Sequence, residues 1–274
     1  VTRRCPSPLA SIGQTSPGSS GLVFTNAMTV PSRSRLGSRQ VRLAGPGRGG
    51  MPATFWAKVL PVVRDAHPDA WFLGEMIGGD YAAYAADSGL DSITQYELWK
   101  AIWSSLNDPN FYELAWTLDR HNHVLDAVMP QTFVGNHDVT RLASRLNDER
   151  HFGHALAVLL TVGGIPSIYY GDEQAFRGVK EERAGGDDEI RPAFPASPAE
   201  LPPDGWPAYR LHQRLIGLRR RHPWLARART TVEHLANETI AIRAAADDAG
   251  ILLLLNAGDT PFRFPLEMTG LTVA

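Results

Sequence analysis

Several features that would assign a function class at once are scarce or missing in this chain of 274 residues. It has one cysteine, Cys5, which excludes an internal disulfide and a zinc site built from several cysteines. No apolar run approaches the roughly 20 residues that a membrane helix needs. The formal net charge is −2, so no basic field indicates a nucleic-acid partner. Since no hydrophobic leader follows the basic start, we expect a cytoplasmic protein that binds neither nucleic acid nor membrane.

Acidic residues are missing from the start of the chain, because all 29 of them lie in residues 51–274. Residues 1–50 contain seven arginines, eight serines, eight glycines and five prolines, but no Asp, Glu or Lys. This segment also has no sustained period of 2 or 3.6. Three interpretations compete: a disordered basic tail, an organelle transit peptide, or a stretch translated out of frame. We favour the third, because a motif described below breaks off in the same segment.

From Met51 onwards the sequence alternates between helical and strand patterns. Strands are predicted at 70–75, 90–95, 131–135 and 165–170, and helices at 52–67, 96–106, 111–128, 151–162 and 209–221. Such alternation is typical of a parallel α/β fold, and the four units fit half of a (β/α)8 TIM-type barrel. Three shorter strands, at 230–232, 239–243 and 251–256, follow. We therefore predict a partial catalytic barrel over 51–224 and a small C-terminal β domain over 225–274.

Polar clusters directly follow three of the predicted strands. In a β/α barrel these positions form the active-site face. Carboxylates that converge there suit glycoside hydrolysis, in which one protonates the leaving oxygen and another attacks or stabilises the sugar centre. The clusters are Glu75, Asn136-His137-Asp138 and Tyr170-Gly171-Asp172-Glu173.

Three segments resemble, in order and spacing, the motifs that end barrel strands five, seven and eight of the α-amylase family, glycoside hydrolase family 13. They are Trp71–Glu75, Phe133–Asp138 and Gly164–Glu173. The resemblance extends over about residues 51–274. It implies a retaining hydrolase of α-glucosidic bonds, or a transglycosylase sharing its intermediate, which acts on an α-linked glucan or glucoside without a cofactor.

The resemblance also implies a role for each matching residue. Glu75 corresponds to the general acid/base, and Asp138 to the carboxylate that binds sugar hydroxyls and stabilises the transition state. His137 corresponds to a histidine that hydrogen-bonds the sugar, and Asn136 and Arg141 are assigned with it to substrate binding. No metal is assigned, because no set of ligands with metal-binding spacing is visible.

The nucleophile of the family, an aspartate in a Gly-x-Arg-x-Asp pattern after strand four, has no counterpart. Residues 40–44 read Gln-Val-Arg-Leu-Ala, so that Ala44 stands where the aspartate is required, and no carboxylate precedes Asp65. We therefore expect an inactive fragment, produced by a frameshift or truncation, that is poorly soluble because half a barrel has open strand edges. The alternative is a non-catalytic carbohydrate-binding or scaffold protein with the same fold.

Two further groups are interpreted as structural. His121 and His123 lie two residues apart on a predicted helix, where they cannot face one ligand, and we expect both to be solvated. Residues 219–222, Arg-Arg-Arg-His, are read as the basic end of a helix.

Overall fold

The structure, a computed structural model, describes residues 51–266 and, upstream of them, the two strands 23–24 and 40–44. The strands are β1 (Val23–Phe24), β2 (Gln40–Ala44), β3 (Trp71–Glu75), β4 (Ser92–Ile93), β5 (Gln131–Phe133), β6 (Ile165–Ser167), β7 (Arg229–Leu235), β8 (Thr239–Ala246) and β9 (Ala249–Asn256). The α-helices are α1 (Ala53–Ala66), α2 (Tyr81–Ser88), α3 (Tyr96–Asn107), α4 (Tyr112–Ala127), α5 (Leu142–Arg145), α6 (Phe152–Thr161) and α7 (Trp206–Arg221). None of the helices within 51–266 is long and apolar enough to cross a membrane.

Strands β2 to β6 follow one another in chain order as parallel neighbours. β2 pairs with β3, β3 with β4, and β5 with β6, while a single parallel bridge from Thr94 to Gln131 connects β4 to β5. β1 pairs antiparallel with β2. The helices α1 to α6 lie between these strands in the sequence, so the predicted fold class of a partial TIM-type barrel is confirmed.

The segment predicted to be disordered or out of frame contributes one strand to this parallel series. Gln40–Ala44 aligns residue by residue with Trp71–Glu75, so the parallel series has five strands rather than the four predicted. Apart from β1 and β2, the predictions for residues 1–50 concern residues outside the described part of the chain.

The C-terminal strands β7, β8 and β9 form an antiparallel sheet in chain order, as predicted. Its inner face shares one buried cluster with helices α3, α4 and α6. Leu98, Leu118 and Leu156 contribute from the helices, and Ile240 and Leu255 from the sheet. Each buried aliphatic side chain contributes about 1.5–3 kcal/mol of hydrophobic stabilisation, which binds the sheet to the barrel helices.

Helix α2 is the one α-helix of residues 51–266, apart from the single-turn α5, that the sequence reading missed. The carboxylate of Asp80 accepts a hydrogen bond from the backbone N–H of Ala83 at 3.0 Å, which caps the first turn. Gly89 ends the helix in the left-handed conformation with φ of +73°. Both capping residues were readable in the sequence.

Strands β5 and β6 end at Phe133 and Ser167, earlier than the predicted ends at residues 135 and 170. The chain leaves the sheet at these points to form the loops that carry the polar motifs. Gly171, with φ of +85°, turns the chain after β6.

His121 is fully buried, so the expectation that it is solvated was wrong, whereas His123 is exposed. The Nε2 of His121 lies 3.0 Å from the carbonyl oxygen of Gly163, and its Nδ1 lies 3.4 Å from the Nε2 of Gln95. Since Gly163 can only accept and the Gln95 amide nitrogen can only donate, the imidazole is neutral, with its proton on Nε2. Burial lowers the pKa of His121 to about 4.

Residues 219–221 form the basic last turn of helix α7, as predicted, and Arg219 makes tertiary contacts as well. Its guanidinium donates hydrogen bonds to three main-chain carbonyls around the start of β6, those of Leu160, Val162 and Gly164, at 2.6–3.1 Å. Burial lowers the pKa of Arg219 to about 10. The side chain therefore ties helix α7 to the last parallel strand.

We predict that acid destabilises the fold through His121. The unfolded state binds a proton near the ordinary pKa of 6.5 and the folded state only near 4. Stability is therefore complete above pH 6.5 and falls as the pH drops towards 4, by about 3 kcal/mol at about 1.36 kcal/mol per pH unit. Urea unfolding at pH 7.5, 5.5 and 4.5 measures this loss.

The matched variants are His121→Gln and His123→Gln. The first should flatten the pH dependence, and the second, at an exposed position, should leave it unchanged. An equal slope in the unchanged chain and His121→Gln would refute the assignment.

Candidate active site

The residues predicted to act on substrate lie at or just beyond the carboxyl ends of two strands of the parallel series, β3 and β5. Glu75 is the last residue of β3, and Asn136, His137 and Asp138 follow β5. All four are half-buried. β4 lies between these two strands, and Thr94 at its end forms a parallel bridge to Gln131, the first residue of β5. Carboxyl ends of parallel strands form the active-site face of such a barrel.

Glu75 is fixed by the strand that follows it in the sheet. The backbone N–H of Thr94 donates to the carbonyl of Gly74 at 3.0 Å. The hydroxyl of Thr94 accepts from the backbone N–H of Met76 at 3.0 Å and lies 3.3 Å from its carbonyl oxygen. Because the residues on both sides of Glu75 are held, the direction in which its side chain leaves the backbone is set.

Tyr96, at the first turn of α3, connects the acid/base candidate to the Asn-His-Asp motif. Its hydroxyl donates a hydrogen bond to Oε1 of Glu75 at 2.9 Å and accepts one from Nδ2 of Asn136 at 3.0 Å. The ring is 6% exposed and packs edge-to-face on Phe133, with centroids 4.9 Å apart. The sequence reading treated Tyr96 only as the start of a helix and so missed this contact.

Asp138 forms an ion pair that the sequence analysis did not anticipate. Lys180, on the long loop after β6, places its Nζ 2.5 Å from Oδ1 of Asp138 and 3.1 Å from its carbonyl oxygen. The hydrogen bond to Asp138 raises the pKa of Lys180. Asp187, from the same loop, lies 3.9 Å from the same ammonium. The loop is therefore attached to the motif by charge.

The same loop is attached to His137 as well. Arg191 donates from Nε to the carbonyl oxygen of His137 at 2.8 Å and pairs with Asp187 at 2.7 Å. Asp187 and Arg191 thereby attach this loop to the backbone of the motif. In the part of the chain that is described, no three His, Cys, Asp or Glu side chains are grouped as a metal site.

Arg141 has a different position from the one predicted, because its side chain is 0% exposed. It forms a salt bridge of 3.0 Å to Asp172 and donates to the carbonyl of Tyr170 at 2.6 Å. Its guanidinium carbon lies 4.2 Å from the ring centroid of Tyr169. A group enclosed in this way does not reach a sugar, so direct substrate binding by Arg141 finds no support. It connects the ends of β5 and β6 instead.

Asp172 is enclosed together with Arg141. Burial raises the pKa of Asp172 to about 7, although Arg141 favours the charged form. A side chain at Gly135 would place its Cβ 2.1 Å from Oδ2 of Asp172, so only glycine fits between the motif and this carboxylate. This glycine allows the two strand ends to approach closely.

Ala44 lies directly opposite Glu75 in the sheet. The register of β2 and β3 pairs Ala44 with Glu75 and Leu43 with Gly74. Neighbouring strands are about 4.8 Å apart, and the two carboxyl groups of a retaining glycosidase are about 5–5.5 Å apart. Position 44 therefore occupies the place in the sheet where the second carboxylate of such a site would start, and it holds alanine.

The sequence matches one family of known proteins over most of its length. The family profile described as "Alpha amylase, catalytic domain" matches residues 30–230. This chain belongs to the α-amylase family. The family match begins before β2 and so includes Ala44 as well as the motifs around Glu75 and Asp138.

Individual members of the family resemble the chain over its greater part. A cyclomaltodextrin glucanotransferase of Bacillus sp. (strain 1-1) is 32% identical over 179 residues, 63% of this chain and 23% of that protein. The crystal structure of CldA, a cyclomaltodextrin glucanotransferase, superposes with a TM-score of 0.64 at 26% identity and covers 79% of this chain and 44% of that one. The structure of AmyP in complex with maltose has a TM-score of 0.66 at 16% identity, over 80% and 54% of the two chains. The chain thus spans about a quarter of the length of the curated relatives it matches.

We predict that the buried pair of Arg141 and Asp172 is a major source of local stability. Replacing Arg141 by Met leaves a buried carboxylate without its partner, which costs about 3–5 kcal/mol. Urea unfolding at pH 8, above the pKa of about 7 of Asp172, measures this loss with the carboxylate charged.

The control is the double variant Arg141→Met with Asp172→Asn, which removes both charges and keeps the volume beside Gly135. It should recover at least about 1 kcal/mol of the loss. A double variant as unstable as the single one would mean that packing, not charge, accounts for the effect.

Proposed function

We propose that this chain carries the acid/base side of a retaining α-glucosidic site and does not hydrolyse glucans as it stands. One observation carries the proposal: Glu75 is hydrogen-bonded through Tyr96 to Asn136 of the Asn-His-Asp motif, while Ala44 lies in register beside Glu75. The acid, the sugar-binding carboxylate and the position of the nucleophile thus belong to one strand-end face, and only the nucleophile lacks its functional group.

The roles follow from the chemistry of the groups. Glu75, when protonated, donates its proton to the glycosidic oxygen and so allows the leaving sugar to depart. Asp138 accepts hydrogen bonds from sugar hydroxyls, and the imidazole of His137 donates to another. Retaining hydrolysis then requires a carboxylate oxygen that attacks the anomeric carbon from the opposite side. The methyl group of Ala44 offers no such oxygen, so the covalent intermediate does not form.

The proposed substrate is an α-linked glucan or glucoside. Several curated relatives are cyclomaltodextrin glucanotransferases, whose name specifies glucan transfer, and one solved neighbour holds maltose. In this chain Lys180 faces Asp138, so a sugar that binds to the carboxylate shares it with the ammonium or displaces it.

A second candidate function is carbohydrate binding without turnover. The presence of Ala44 opposite Glu75 favours it, because the sugar-binding groups remain while the nucleophile does not. The two candidates predict different results when a carboxylate is introduced at position 44. The first predicts hydrolysis, because the remaining catalytic groups are complete, and the second predicts glucan binding without hydrolysis.

We predict that Ala44→Asp hydrolyses a 4-nitrophenyl α-maltotrioside at least about 10³-fold faster than the buffer rate. The unmodified chain should not exceed the buffer rate. The physical reason is that only the aspartate supplies an attacking oxygen. Release of nitrophenolate measures the rate.

Ala44→Asn, of the same size but without the nucleophilic carboxylate, and Ala44→Asp with Glu75→Gln are the matched controls and should remain inactive. Hydrolysis by the unmodified chain would overturn the proposed inactivity. Glucan binding by Ala44→Asp without turnover would favour the second candidate.

We predict that maltotriose binding depends on the Asn-His-Asp motif whether or not turnover occurs. His137→Ala and Asp138→Asn should each weaken binding by about 5- to 10-fold, since each removes hydrogen bonds worth about 1 kcal/mol or slightly more. Isothermal titration calorimetry measures the affinities. Glu113→Gln, on α4 and paired with Lys100, serves as the control and should bind normally. Equal affinity in all four proteins would exclude this face as the binding site.

A further inference from the structure

We propose that Tyr96 is a positioning residue that orients the carboxyl group of Glu75 and stabilises its ionised form. The inference rests on the proposed function of Glu75 as the acid/base. It follows from a directed series of hydrogen bonds in which each donor is fixed by the one before it. The series runs from the backbone of Asp138 through Asn136 and Tyr96 to Glu75.

The first step fixes the orientation of the Asn136 amide. The backbone N–H of Asp138 lies 2.8 Å from Oδ1 of Asn136, and a backbone N–H can only donate. If the amide of Asn136 were turned by 180°, its NH₂ group would face the N–H of Asp138, and two donors would oppose each other. The oxygen of Asn136 must therefore face Asp138. Its nitrogen, which can only donate, must then face Tyr96.

The second step fixes the proton of Tyr96. The hydroxyl oxygen accepts from Nδ2 of Asn136 at 3.0 Å, so its single proton points towards Oε1 of Glu75 at 2.9 Å. Oε1 is thereby an acceptor. The hydrogen bond therefore fixes the orientation of the Glu75 carboxyl group relative to the Asn-His-Asp motif.

The geometry cannot relax easily, because the tyrosine ring is enclosed. Tyr96 is 6% exposed and lies edge-to-face against both Phe133 and Trp99, at centroid distances of 4.9 and 5.9 Å. Moving the hydroxyl oxygen away from Glu75 would require moving this aromatic cluster. The hydrogen bond is therefore a fixed part of the site and persists between the protonated and ionised forms of Glu75.

This hydrogen bond bears on the transfer of the proton from Glu75 and on the negative charge that Glu75 then carries. The O–H bond of Glu75 breaks as the proton moves to the glycosidic oxygen, and its electron pair stays on the carboxylate. Tyr96 keeps its own proton throughout, and its hydrogen bond to Oε1 stabilises the charge that Glu75 acquires. Tyr96 thus orients the acid and favours its ionised form without touching the reacting sugar.

The test uses the full chain labelled with ¹³C at the glutamate side-chain carboxyl carbons. NMR titration follows the carboxyl signal of Glu75, assigned by its loss in Glu75→Gln. In Tyr96→Phe the midpoint of this titration should move upward by about 0.5–1 pH unit, a 3- to 10-fold higher proton affinity, because the ionised form loses a hydrogen bond. Tyr84→Phe is the matched control, since its buried hydroxyl donates to the backbone carbonyl of Met51 and to no carboxylate. An unmoved midpoint in Tyr96→Phe, or an equal shift in Tyr84→Phe, would overturn the proposal.

A second variant keeps the test decisive if Tyr96→Phe does not fold, as judged by its amide spectrum. Asn136→Ala leaves the tyrosine ring in place and removes the donor that orients its hydroxyl. We expect a smaller upward shift of the same midpoint, and no shift would count against the directed series. Maltotriose titration of the same samples separates the two proposals. If the unmodified chain does not bind maltotriose, the proposed function is refuted. The titration midpoint of Glu75 would still decide the role of Tyr96.

Discussion

The parallel register of consecutive strands is the constraint from which the rest of this structure follows. Side-by-side pairing of β2 with β3 and β3 with β4 brings the carboxyl ends of the strands to one edge, so residues far apart in sequence meet there. A shift of one residue would turn the side chains of a strand to the other face. Because Thr94 binds the backbone on both sides of Glu75, such a shift would also break three hydrogen bonds.

Charges at this edge fall into two groups with different physical consequences. Arg141 and Asp172 are enclosed, so their attraction acts in a medium of low dielectric constant and removal of either partner leaves an uncompensated charge. Lys180 and Asp138 are partly exposed, with 23% and 35% of their side-chain surface accessible, so water and salt weaken their attraction. The first pair is suited to holding strand ends together. The second can open at modest cost when a polar ligand competes for Asp138.

The sequence predicted the parts of the site that depend on local pattern and could not predict those that depend on tertiary contact. An apolar strand followed by a carboxylate was sufficient to place Glu75 and Asp138 at strand ends. The role of Tyr96 was not readable, since a tyrosine opening a helix has no local signature for a partner 21 residues earlier. Arg141 was misassigned for a related reason: sequence spacing places a guanidinium near a motif but does not reveal burial. His121 was misjudged because a helix reads as solvated when the sheet that covers it is distant in sequence.

Glu75 and Asp138 are held by side-chain contacts from residues after β3, while β2 contributes backbone pairing beside Glu75. Glu75 is positioned by Thr94 and Tyr96, and Asp138 by Asn136 and Lys180, all from residues between β3 and the loop after β6. In the proposed function, alanine at position 44 supplies no attacking oxygen, while the contacts that support Glu75 and Asp138 are all present. This separation explains physically how binding could outlast catalysis on this fold. Restoring one side chain in β2 is accordingly a fair test of whether the remaining machinery is complete.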